Sequence, residues 1–263
     1  MGNLSKIGRI FYGIAIAGTG LQAIHYKNFP YMLMPPLHFL APGNAMLNYI
    51  SGGIFFLVGA CIVLDEKTKP ISFLFGFVLL LIFCFFYIPY EFTVNSNYMH
   101  LAEWENALKE LALAGGAYVI AGDSSEKNEI VFNNVWGKLM PYGAILFSIP
   151  ILCFGILHFL LAVEVSSLVP SWIPGPIFWT YLAGIALIGS GAAIILKIKS
   201  GLIAALLGST ILIWFIILHI PRVMVSPVAD RGDEIVSAFL ALAYSGIAFV
   251  IAGPAKAIDI EKH

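Results

Sequence analysis

Residues 152–184 read LCFGILHFLLAVEVSSLVPSWIPGPIFWTYLAG, and residues 20–52 read GLQAIHYKNFPYMLMPPLHFLAPGNAMLNYISG. Each is an apolar helix closing near a histidine, then a proline-rich crossing, then a second helix opening on aromatic and small residues. His25 matches His158, Pro42 matches Pro174, Tyr49 matches Tyr181 and Gly52 matches Gly184, in the same order and at offsets of 132 or 133 residues. Self-similarity at a near-constant offset is the mark of a duplication, so two copies of one unit are expected.

The composition says what surrounds those units. The chain of 263 residues is 60 % hydrophobic and 11 % charged, with a mean hydropathy of +0.91. Soluble domains average roughly 45–50 % apolar and 25 % charged, so this chain belongs in a bilayer. A net charge of −1 with no basic cluster removes the electrostatic case for nucleic acid. Cys61, Cys84 and Cys153 stand singly in apolar runs, without Cys-x-x-Cys or zinc spacing, which argues against dithiol redox chemistry and against a metal site. Lys6 and Arg9 precede the first apolar run as in a secretory signal. No small-x-small cleavage site follows, so that run reads as a retained first span.

Apolar segments near the ~20 residues that cross hydrocarbon recur at 8–25, 46–64, 71–90, 104–122, 140–163, 177–196, 200–219 and 235–253. The expectation is an all-α integral membrane protein of eight transmembrane helices in two four-helix bundles. The fourth and eighth segments support the pairing, since LALAGGAYVIAG (111–122) is nearly LALAYSGIAFVIAG (240–253). The units are 1–122 and 139–263, joined by a polar linker at 123–138. With the N-terminus inside, Lys6, Arg9, Lys67, Lys69, Lys127, Lys138, Lys197, Lys199, Lys256 and Lys262 fall on the cytoplasmic side. Lys27, Lys109, Arg222 and Arg231 fall on the other, so both termini are expected in the cytoplasm. An even number of spans per copy makes the repeats parallel, related by an axis along the membrane normal.

Each unit resembles the DoxX-like family of bacterial four-helix membrane proteins. The second copy carries the resemblance best, in Gly155, His158 and Phe159, then Val169-Pro170-Ser171-Trp172-Ile173-Pro174, then Tyr181 and Gly184. The first copy is looser, with His25-Tyr26, Pro35-Pro36 and Pro42-Gly43, while Trp104 to Gly122 matches the family's last helix. Phe55 and Leu187 stand where members often place an acid, and Tyr87 stands where the family's third helix closes on the histidine kept here as His219. The resemblance implies the four-helix fold and a bacterial inner-membrane location. It also implies a connection with sulfur or oxidative-stress redox systems, some of whose membrane subunits serve quinone oxidoreductases.

Ionisable groups at membrane depth are costly and therefore functional suspects. His25 and Gln22 end the first span, Tyr87 the third, His158 the fifth, and His219 and Arg222 the seventh, all on the expected outer side. Two imidazoles at matched positions could ligate haem or copper, hydrogen-bond a quinone or lipid headgroup, or bond structurally to the adjoining loop. Haem and metal are the disfavoured reading, because an imidazole at a helix C-terminus already gains from the dipole. Gln22 is also explained by contacts between helices, and Arg222 by snorkelling or by pairing with Glu91. Glu105 with Lys109 reads as an i,i+4 pair, and Trp104, Trp172 and Trp179 as interfacial anchors. The expected function is a membrane subunit of a redox system that binds a quinone or similar lipid and works with a protein partner. A non-catalytic scaffold is the alternative and a small-molecule transporter the third reading.

Overall fold

The computed structural model describes residues 2–27, 35, 45–94, 97, 99–124, 138–228 and 230–253. Pro36, Pro42, Gly43 and linker residues 125–137 lie outside the described residues. Among the described residues there is no strand. The long helices are α1 (Asn3–Tyr26), α2 (Ala45–Leu64), α3 (Thr68–Thr93), α4 (Glu105–Asp123), α5 (Gly143–Leu160), α6 (Pro176–Ile195), α7 (Ser200–Val225) and α8 (Arg231–Ala252).

Seven of these, all but α4, are long and apolar enough to cross a membrane. The segment expected as the fourth span does form α4, but Glu105, Lys109, Glu110 and Asp123 lower its hydropathy. Its position explains how it carries them. Nearly every side chain from Ala107 to Ala121 is buried against other helices, so α4 presents little surface to lipid and needs no lipid-compatible face. α8 is similarly central, with 72 % of its most apolar window buried, whereas α7 is peripheral at 17 %.

Small residues set how closely the helices approach. α1 crosses α2 at Gly13 with Gly59 and at Gly20 with Gly52, where an added Cβ would strike backbone of the partner helix. α5 crosses α6 at Gly155 with Gly184 and at Ser148 with Gly191 in the same manner. Between the halves, Gly8 of α1 meets Gly246 of α8, and Gly115 of α4 meets Gly143 of α5. Lipid tails supply no hydrophobic drive for helices to associate, so such backbone approach is a main source of contact energy.

α3 and α7 each contain one π-helical turn, at Phe83–Tyr87 and Phe215–His219, two residues ahead of Pro89 and Pro221. A proline removes an N–H and crowds the carbonyl four residues back; the wider turn absorbs both and re-aims the residues that close it. Those residues are Tyr87 and His219.

Candidate functional site

The second half encloses a cavity of about 550 Å³. Its walls come from α5, α6, α7 and α8, together with Glu105 and Lys109 from the first turns of α4. The deep part is mainly apolar, with Ala186, Leu187, Ile203, Leu207 and Ile211, and carries the hydroxyls of Ser190 and Thr210. Polar groups gather where α5 and α7 end and α6 begins, at His158, His219, Thr180 and the Glu105–Lys109 pair. The cavity opens outward: Leu206 lines it yet is 57 % exposed, and Trp179 and Leu168 are exposed lining residues too. The opening therefore lies on the apolar outer surface that seven membrane-length helices present to lipid.

The two histidines are held differently. His158 donates from Nδ1 to the Phe154 carbonyl, one turn back in α5, at 2.8 Å. That bond fixes the neutral tautomer and leaves Nε2 as an acceptor. His219 closes the π-turn of α7, and its Nδ1 is buried with no hydrogen-bond partner. A buried polar atom without a partner is costly and calls for an explanation. Beside them, Lys109 Nζ lies 2.7 Å from the Glu105 carboxylate and 3.2 Å from Asn106 Oδ1.

Arg222 stands one turn beyond His219 and does not line the cavity. It grips Glu234 of α8 with Nε at 2.9 Å from Oε2, and Nη2 bonds to Oε1. This two-pronged pair ties the end of α7 to the start of α8. The other sequence candidates lie elsewhere. His25 is exposed at the end of α1, with its ring edge-on to Tyr26 at 4.9 Å. Gln22 is buried, its amide against Gly232 of α8. Tyr87 is buried in the first half. Of the six, His158 and His219 share the cavity, and His25 and His158 stand in unlike settings despite their matched positions.

The matched positions of the first half carry different side chains. Phe55, Phe75, Leu79, Tyr87 and Glu110 are all buried, and the Phe55 and Phe75 rings pack edge to face with centroids 5.1 Å apart. Their counterparts, 132 residues on for the first four and 131 for the last, are Leu187, Leu207, Ile211, His219 and Ala241, and every one lines the cavity. Four of the five exchanges remove side-chain bulk, and Leu79 to Ile211 changes shape at constant volume.

Sequence reading did not single out Glu105, Lys109, Thr180 and Tyr244 as cavity residues, nor Glu110 as an interior one. The signal that could have found the cavity was the difference in size between residues matched at that offset in the sequence. Among the described residues, no three of His, Cys, Asp or Glu gather as a metal-binding group. No family model, no curated protein and no solved structure matches this chain.

Proposed function

We propose that the cavity of the second half binds a quinone or a similar lipid with a compact polar head, and that the protein serves as a membrane subunit of a redox system. One observation carries this reading: an apolar cavity of about 550 Å³, open toward the lipid-facing surface, ends at two imidazoles of which one has an unpartnered buried nitrogen. That volume lies within the roughly 300–1,000 Å³ of small-molecule sites. The polar groups suit both redox forms: His219 Nδ1, which has no partner in the protein, can carry a proton to donate to a quinone carbonyl, and His158 Nε2 can accept from the hydroxyl of the quinol. A bound quinone would supply two-electron, two-proton redox chemistry. The chain's own part is to hold the head at the imidazoles, to keep water from the apolar depth, and to set the orientation through α7 and its Arg222–Glu234 tie.

The remaining assignments belong to the same reading. The chain is a tandem pair of DoxX-like four-helix units in parallel orientation, with α4 counted as the eighth span. Both termini face the cytoplasm of a bacterial inner membrane, so the polar end of the cavity is extracytoplasmic. A protein partner brings the redox centre that exchanges electrons with the quinone.

The test is to purify the protein gently from native membranes and analyse its lipid extract by mass spectrometry. Quinone in the extract of the wild type, reduced in His158→Ala and His219→Ala, is the expected result. An extract without quinone, from a preparation that retains a redox partner, would replace this reading with that of a scaffold.

A further inference from the structure

We infer that Glu110 is a proton-binding site of the protein interior, held as the neutral acid and exchanging its proton with the cavity past Tyr244. The inference stands apart from what the cavity binds. Glu110 is 0 % exposed, and neither carboxyl oxygen has a hydrogen-bond partner. An ionised carboxylate so placed would lose its hydration with nothing in return, a cost a buried charge escapes only by pairing or by taking up a proton.

The surroundings leave the proton as the counter-charge. From α1, Tyr12 faces the site, but its hydroxyl donates to the Leu113 carbonyl at 2.9 Å. From α3 come Tyr87 and Glu91, an electroneutral phenol and a second acid. From α8 comes Tyr244, whose hydroxyl points to the Lys109 carbonyl at 3.4 Å. On its own helix the nearest cation, Lys109, is held by Glu105, and on α7 Arg222 is held by Glu234. On α5 the polar group toward this end is His158, bonded to its own backbone. Among the described residues, Lys109 and Arg222 are thus committed to other acids.

Tyr244 supplies the connection. It lines the cavity while its hydroxyl meets the peptide that joins Lys109 to Glu110. A phenol can accept one proton as it passes on another, so it can relay between the acid and a group in the cavity without carrying net charge. The matched position of the second half is Ala241, so only the first copy carries this acid.

The test is infrared spectroscopy of the purified protein in lipid nanodiscs at neutral pH, with no quinone added. The wild type should show the carbonyl stretch of a protonated carboxylic acid that Glu110→Gln lacks. Transfer to D2O should shift that band, and more slowly in Tyr244→Phe. Should Glu110→Gln fail to fold, Glu110→Asp, which keeps the acid, should move the band instead of abolishing it. No band assignable to Glu110, or one that disappears when sodium or potassium is added, would overturn the proton site. Exchange at the wild-type rate in Tyr244→Phe would overturn the route. None of these outcomes depends on quinone, so the cavity's ligand and the proton site stand or fall separately.

Discussion

The interiors of α1–α4 and α5–α8 use matched positions to opposite ends. In the first, Phe55, Phe75, Leu79 and Tyr87 are buried, as is the acid Glu110. In the second, the corresponding Leu187, Leu207, Ile211 and His219 leave about 550 Å³ open. A core that only had to hold helices together would gain dispersion contacts by filling such a void. The second half forgoes them, which supports the proposal that the space is kept for an occupant.

The contrast can be broken from either side, and the largest effect should come from emptying the filled half. Phe75→Ala should destabilise the protein by about 3–5 kcal/mol, the usual cost of deleting a buried phenylalanine, and Leu207→Ala by nearer 2. Equal losses in detergent unfolding would mean the two interiors are packed alike. Filling the hollow half comes next. Leu187→Phe with Leu207→Phe copies the first half's residues into the second and should weaken binding of a short-chain quinone about a hundredfold, or roughly 2.7 kcal/mol, without unfolding the protein. Retained affinity would place the ligand elsewhere.

The polar end sharpens the comparison further. Losing one hydrogen bond at His219 or His158 should cost about tenfold in affinity, whereas His25→Ala, at the matched but exposed position, should leave affinity within about twofold. A shared loss at His25 would restore the symmetric rim that the sequence suggests. The smallest effect is expected at Arg222→Lys, which keeps the charge but not the two-pronged grip on Glu234. It should cost about 1 kcal/mol of stability and little affinity, because Arg222 does not line the cavity.

The helices themselves were legible in the sequence, because lipid demands long apolar runs. Expected segments 46–64, 177–196 and 200–219 became helices 45–64, 176–195 and 200–225. α4 was legible as a helix through its likeness to α8, although its charges leave it less apolar than the other long helices. The cavity was not legible, since hydropathy registers that Phe55 and Leu187 are both apolar and is blind to the volume between them. At the rim the matched histidines stand in unlike settings, His25 exposed and His158 on the cavity wall, a difference that their matched sequence positions do not report. In the sequence Glu110 stands with Glu103, Glu105 and Lys109 at the charged start of α4. It lies more than one turn beyond Glu105, and burial there depends on α1, α3 and α8 together, which no local pattern reports.

The central claim is that the hollow second half holds a quinone-like lipid, and tryptophan fluorescence tests it most directly, since Trp179 and Trp214 both line the cavity. Titration of the protein in nanodiscs with a short-chain quinone should quench that emission saturably in the wild type. The quenching should disappear in Leu187→Phe/Leu207→Phe at unchanged thermal stability. Saturable quenching that survives in the filled variant, or linear quenching with no saturation in the wild type, would contradict the account.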